Sequence, residues 1–310
     1  MTQNAKDKTG LHELTSNPTS HFSPFEHAIT TSKSPKSSGK VKQTFNALWI
    51  SDVHLGSVDC KAEYLLDLLN QTHTNKLYLV GDIIDIWALK RKVYWPESHN
   101  LVLQKLIQLA QSGIEIKFIP GNHDEEFKAY SNFQIWGITI TRQYIHECIT
   151  GDKILMLHGD QFDSEVCISR TYAKLGDHLY DVLLLLNRKL HRIRHSLGFS
   201  YWSLASYVKL RVNKAQHAIS MYRDAVLRYA QTQQVQAVVC GHIHQPELSQ
   251  HKNIIYANDG DWVENCTLIA ETHNGELQLL RWSDEACTTK VINQITLSEA
   301  SASPMKQKVA

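Results

Sequence analysis

Five short polar clusters in this 310-residue chain carry side chains able to hold a metal ion. They are Asp52-Val53-His54, Gly81-Asp82, Gly121-Asn122-His123-Asp124, His158-Gly159-Asp160 and Gly241-His242-Ile243-His244. Each follows a short apolar run, at 48–50, 77–80, 114–119, 154–157 and 237–240, so each reads as the loop at the end of a buried strand. Side chains alternate along a strand, which puts Asp52 and His54 on one face where the first strand runs out. Asp52, His54, Asp82, Asn122, His158, His242 and His244 are the candidate ligands, enough for two divalent ions if one carboxylate bridges them. Mixed imidazole, carboxylate and amide ligation suits manganese, the expected ion, with iron or zinc as alternatives. Taken singly, each cluster has a plain explanation as a helix cap, a turn pair or a satisfied histidine. Five together, each at a strand end, are hard to reach by chance.

Two adjacent cations lower the pKa of a shared water, clamp phosphate oxygens and offset charge during an in-line attack by hydroxide. Hydrolysis of a phosphate ester or anhydride is the chemistry such a set predicts. His123, beside a candidate ligand, is placed to donate to the developing charge or to the leaving oxygen. Asp160 is a candidate partner for His158, since metal-bound histidines usually need an oriented second contact.

The elements that must carry these loops alternate over the first half of the chain. Apolar spacing predicts helices near 62–69 and 101–110 between the strands, the mark of an α/β layered sheet with its site at the carboxyl ends of the strands. From Ile135 short strands follow one another at 138–141, 144–148 and 154–157, then at 254–257, 267–272 and 277–282, which predicts a second, mostly antiparallel sheet. Residues 1–44 and 284–310 are rich in polar residues and read as disordered tails, leaving 45–283 as the folded domain. No stretch approaches the length of a membrane span, and six scattered cysteines without paired spacing predict free thiols and a cytoplasmic location. The net charge of +1, with no basic aromatic stripe, argues against nucleic acid as a partner. Oligomeric state leaves no mark in the sequence.

More than eighty positions separate His158 from His242, and a helical insertion is expected at about 165–232. Helical spacing appears at 181–190 and 201–229, with basic residues interleaved. One reading is a helical hairpin covering the sheet with a solvated basic face. The other is a lid whose apolar side, including Trp202, takes acyl chains while Arg188, Arg192, Lys209 and Lys214 pair with phosphates.

The five clusters match the DxH, GD, GNH, H and GHxH blocks of the calcineurin-like metallophosphoesterases, which the chain resembles from about Trp49 to Trp282. The resemblance implies an α/β/β/α sandwich in which Asp52, His54, Asp82 and His244 hold one ion and Asp82, Asn122, His158 and His242 the other, with Asp82 bridging. It also implies that Asp85 orients His123. The insertion, the Trp95-Pro96 segment and the closing Asn258-Asp259-Gly260-Asp261-Trp262 look like the UDP-2,3-diacylglucosamine pyrophosphatase group of lipid A biosynthesis. That resemblance implies cleavage of a lipid-linked pyrophosphate to UMP and a lipid phosphate, with contact at the inner-membrane surface through the insertion. His123 stands where the pyrophosphatase branch is expected to carry Arg, so the chain looks like a paralogous branch. A phosphodiesterase or phosphomonoesterase of broader specificity is the alternative, and a metal-binding scaffold without turnover the second.

Overall fold

Strand β1 (Gln43–Ile50) shows how the sequence sorts its layers. Leu48 and Ile50 face one side, Ala47 and Trp49 the other, and all four are essentially inaccessible to solvent. A strand buried on both faces lies inside a layered sheet, not on a surface. The structure, a computed structural model, describes residues 42–166 and 213–297 and scattered positions between 186 and 207. Of Asn213 and Lys214 the backbone alone is described.

The first sheet joins β1 to β2 (Thr72–Leu79), β3 (Glu115–Phe118), β4 (Gln134–Ile135), β5 (Ile138–Ile140), β11 (Thr267–Glu271), β12 (Glu276–Ser283) and β13 (Thr288–Thr296), in the order β13-β12-β11-β1-β2-β3-β5-β4. Its centre is parallel, with β1 on β2 and β2 on β3. The second sheet joins β6 (Tyr144–Glu147), β7 (Lys153–Met156), β8 (Ala237–Cys240), β9 (Glu247–His251) and β10 (Ile254–Asn258), in the order β6-β7-β8-β10-β9.

Three apolar clusters mark three interlayer spaces. Helices α1 (Ala62–Gln71) and α3 (Glu97–Gln111) set Leu65, Leu68, Val102 and Leu106 against Leu48 and Ile50. Trp49, Tyr78 and Val80 meet Met156, Val239 and Ala257 between the sheets. Helix α4 (Asn213–Thr232) sets Tyr222, Val226 and Ala230 against Leu155, Val238 and Tyr256 on the far side. The order is therefore helix, sheet, sheet, helix, the four-layer sandwich that the family resemblance implies.

Three details differ from the sequence reading. β5 was expected in the second sheet but extends the first, parallel to β3, and β11 and β12 also join the first sheet. The second sheet is mixed, because β7, β8 and β10 pair in parallel. The expected tail at 284–310 contains β13, a nine-residue strand that pairs along β12 with a bulge at Ile292, and Leu297 beyond it is fully buried. Its sequence hides it: β13 lies at the sheet edge with residues 290–294 exposed, so neither apolar alternation nor a long apolar run appears. Gln43 and Thr44, at the end of the first expected tail, belong to β1; residues 1–41 lie outside the described ones.

The two sheets are also fastened by a buried polar network. Glu271 on β11 is fully buried; its Oε2 accepts from Asn46 Nδ2 at 2.6 Å and pairs with His146 Nε2 at 2.9 Å, while Oε1 accepts from the Ile149 amide at 2.8 Å. His146, on β6 of the other sheet, reaches Tyr78 Oη with its Nδ1 at 2.9 Å. Removing one member leaves buried donors without partners. Glu271→Ala is expected to lower the unfolding free energy by about 3 kcal/mol. Urea unfolding at constant m-value measures it, and unchanged metal binding by the folded variant would show that the network acts on the sandwich and not on the site.

Candidate metal centre

The loops after β1 and β2 run side by side as an extension of the sheet. The Asp52 amide donates to Gly81 O at 3.0 Å, that of His54 to Asp82 O at 2.9 Å and that of Leu55 to Ile83 O at 2.9 Å. In this register Asp52, His54 and Asp82 all take left-handed backbone conformations, with φ of 50°, 55° and 53°. His242 and His244 do the same at 70° and 52°. Non-glycine residues rarely adopt this region, and its clustering at five candidate ligands marks strain held for function. Two glycines are equally required. A Cβ on Gly81 would lie 2.1 Å from His158 Nδ1, and one on Gly121 would lie 2.2 Å from Asp82 Oδ1, so bare backbone is what lets the ligands close in.

All seven candidate ligands are brought to one place. His244 Nε2 lies 3.2 Å from Asp52 Oδ1 and 3.3 Å from His54 Nε2, and His54 Nε2 is 4.0 Å from Asp82 Oδ2. On the other side of Asp82, Oδ2 lies 3.4 Å from His158 Nε2, which is 3.2 Å from Asn122 Oδ1. His242 offers a nitrogen to the same space as Asp82 and His158. His158 donates its Nδ1–H to Val80 O at 2.8 Å, which fixes the ring and leaves Nε2 toward Asp82. The groups thus fall into two overlapping sets that share Asp82.

The electrostatics show how tightly they are matched. Burial, the largest influence on Asp52, pushes its carboxyl up, but His244 and His158 outweigh it and hold it at about 2. Burial likewise acts to raise Asp82, and His158 with the other imidazoles drives it far below the usual carboxylate range. The imidazoles respond in kind. Burial lowers His54, yet its bond to Asp85 and the charges of Asp82 and Asp52 lift it to about 9. Burial lowers His158 too, and Asp82 above all carries it up to about 10. Carboxylates in this pocket demand positive charge, which protons on the imidazoles or divalent cations can supply, so cation binding must release protons.

The residues fit metal ions on geometric grounds as well. Asp52 Oδ1 is fully buried and accepts no hydrogen bond, while it faces a histidine nitrogen that itself faces another. An oxygen and two imidazole nitrogens converging in this way form a group that could hold a metal ion.

Around this set stands a second row. Asp85 caps α2 (Ile86–Arg91) by accepting from the Ala88 amide at 2.7 Å, and its two oxygens also take His123 Nδ1 at 2.9 Å and His54 Nδ1 at 3.2 Å. Burial tends to raise this carboxyl, and the bonds to His123 and His54 bring it well below the ordinary value. The His123 ring lies against Trp87 on α2, with centroids 4.3 Å apart and planes tilted by 34°, and meets His54 in a T-shaped contact at 4.6 Å.

The sequence reading missed two carboxylates here. Asp124, fully buried, accepts from the amides of Gly121 at 2.7 Å, Asp82 at 3.3 Å, Ile83 at 2.8 Å and Ile84 at 3.2 Å, clamping the second and third ligand loops together. Burial, followed by the charge of Asp82, pushes its pKa up to about 6. Its place directly after the Gly-Asn-His block was the available signal. Asp163 Oδ1 lies 2.6 Å from His242 Nε2, and nothing in its sequence context points to that.

The expected role of Asp160 is corrected. Its Oδ2 pairs with Lys128 Nζ at 2.6 Å, and His158 needs no carboxylate because Val80 O already holds its Nδ1. Asp261 works structurally, its Oδ1 accepting from the amides of Val263 at 2.8 Å and Asn265 at 3.1 Å. Ser51 Oγ donates to Asp259 Oδ1 at 2.5 Å behind Asp52. Of the expected substrate contacts, Arg188, Arg192, Trp202 and Lys209 lie outside the described residues, as does the side chain of Lys214. The end of the expected insertion, α4, is the outer layer of the sandwich and not part of a lid.

Comparison with known proteins agrees with this geometry. The curated relatives include a UDP-2,3-diacylglucosamine hydrolase of Histophilus somni strain 129Pt, 26% identical over 243 residues, covering 76% of this chain and 98% of the relative. Another of the same name, from Proteus mirabilis strain HI4320, is 28% identical over 207 residues, covering 65% of this chain and 82% of the relative. The family model for calcineurin-like phosphoesterases matches residues 45–246, a span that holds all seven candidate ligands, and the chain belongs to that family of metal-dependent phosphohydrolases.

Proposed function

We propose that the protein cleaves the pyrophosphate of UDP-2,3-diacylglucosamine, or of a related lipid-linked nucleotide, to UMP and a lipid phosphate with two divalent ions. The convergence of seven ligand groups on a shared Asp82 carries the two-ion part of this reading. The names of the relatives carry the substrate part. Asp52, His54, Asp82 and His244 would hold one ion, and Asp82, Asn122, His158 and His242 the other, with manganese expected. When bound, such ions supply Lewis-acid charge that activates water and neutralises phosphate.

The remaining work falls to the chain's own side chains. His123 gives Nδ1 to Asp85, so its Nε2 is the atom free to carry a proton to a phosphate oxygen or to the leaving oxygen. Trp87 and His54 fix the plane of that ring, so the proton is delivered in one direction. In this reading the part of the insertion that precedes α4 is a lid whose apolar side takes acyl chains and whose cations pair with phosphates, and it brings the protein to the cytoplasmic surface of the inner membrane. Among the described residues no helix is long and apolar enough to cross a membrane. A second reading, a phosphodiesterase or phosphomonoesterase of different specificity, is favoured by His123 at the position where the pyrophosphatase branch is expected to carry arginine.

Protein loaded with Mn²⁺ and offered UDP-2,3-diacylglucosamine is expected to release UMP, followed by chromatography of the nucleotide. Brisk turnover of a simple phosphodiester with no UMP release would reject the substrate and favour the second reading. Asn122→Ala is expected to lower the affinity for one ion and cut turnover at least 100-fold, and elemental analysis after dialysis reads the first effect. His123→Ala should keep both ions and lose roughly 100- to 10,000-fold in kcat, the usual range for a general acid. A full rate in that variant would remove His123 from the chemistry.

A further inference from the structure

The chain leaves the His158 loop through a 3₁₀ turn, Asp160–Glu165, which forms the root of the insertion. Three carboxylates of this turn go to three different partners. Asp160 takes Lys128, Glu165 Oε2 takes Arg228 Nη2 on α4 at 2.5 Å, and Asp163 takes His242. Phe162 lies buried beneath the turn, 6.2 Å from the ring of Tyr222 and 5.7 Å from that of Tyr229. The turn is therefore a fixed platform, and the third contact differs from the other two because its partner belongs to the metal set.

His242 is otherwise held by its backbone and by ring contacts. Its amide donates to Asp52 Oδ2 at 2.9 Å, and its ring lies 6.0 Å from Tyr222 and 5.1 Å from His158. None of these contacts chooses between its two nitrogens. A carboxylate accepts hydrogen bonds and donates none, so Asp163 at 2.6 Å from Nε2 requires the proton there and leaves the lone pair on Nδ1. We infer that Asp163 is a positioning residue that fixes His242 in its Nε2–H form and aims Nδ1 into the space it shares with Asp82 and His158. The root of the insertion thereby sets the affinity for one of the two ions. This rests on the two-ion reading given above.

Outer partners of ligating histidines are worth roughly 10- to 100-fold in metal affinity. The Asp163 side chain is 63% exposed, so removing it leaves no buried group unpaired on its own side and the unfolding midpoint should not move. The test uses the full chain, stripped by chelator and titrated with Mn²⁺ in competition with a fluorescent chelator. Wild type is expected to bind two ions, and Asp163→Ala to bind one of them 10- to 100-fold more weakly with the other unchanged. Asp163→Asn keeps an acceptor oxygen and should recover most of the loss. Imidazole ¹⁵N shifts of the Zn²⁺-loaded wild type should show His242 protonated at Nε2. Glu165→Ala and Lys128→Ala cut the other two anchors of the turn and should leave both affinities alone. Wild-type affinities in Asp163→Ala, or an equal loss in Glu165→Ala, would overturn the inference, the second by showing that the turn and not the carboxylate matters. A wild type that binds fewer than two ions would instead bring down the two-ion reading, and the inference with it.

Discussion

Two carboxylates, Asp52 and Asp82, are buried at the ends of adjacent parallel strands, and the need to compensate them organises the molecule. An uncompensated buried carboxylate costs several kcal/mol, so positive charge must be delivered to it. Here it arrives from imidazoles, chiefly His244 and His158 at Asp52 and His158 and His54 at Asp82. Packing that many groups into one space bends the backbone. Five of the candidate ligands sit in left-handed conformations that cost about 1 kcal/mol or more each, so the strain approaches the whole stability of an ordinary domain. Three apolar clusters on both faces of two sheets supply the burial that offsets it.

The second row of the site follows an economy of carboxylates. Asp85 serves three donors at once, the cap of α2 and two imidazoles, so the helix that carries Trp87 over His123 is set by the group that orients His123. Asp124 serves four amides from two loops. A loop held by one buried carboxylate through several amides has few ways to move, and ligands placed by such loops keep their distances.

The ligand loops were legible in the sequence because each is contiguous and announced by the apolar strand before it. Asp52 and His54 need no knowledge of the fold to be paired; alternation along a strand is enough. The alternation of strands and helices in the first half was legible for the same reason, since period and spacing are local, whereas the four-layer order came from the resemblance that the ligand blocks carry. What escaped notice depends on partners distant in the chain. Glu271 meets Asn46 across 225 positions and Asp163 meets His242 across 79, and no periodicity encodes either contact. β5 entered the first sheet because pairing with β3, not its own composition, decides membership, and β13 was hidden by the polar residues that suit an exposed edge.

The place of the insertion in chain order has a physical consequence. It departs after His158 and returns through α4 and β8 to His242, so both ends abut groups of the same ligand set. Tyr222 on α4 stands beneath that set, its hydroxyl 3.4 Å from the carbonyl oxygens of His158 and Gly241, while Arg223 on the same helix binds Glu247 at 2.9 Å just past His244. A shift of the root or of α4 must therefore move His158, His242 or both. Asp52 and His54, by contrast, are tied into the first sheet through the paired loops of β1 and β2 and share no segment with the insertion. Asp82 and Asn122 likewise follow strands of the first sheet, so of the seven groups it is His158 and His242, with His244 two residues on, that lie next to the ends of the insertion.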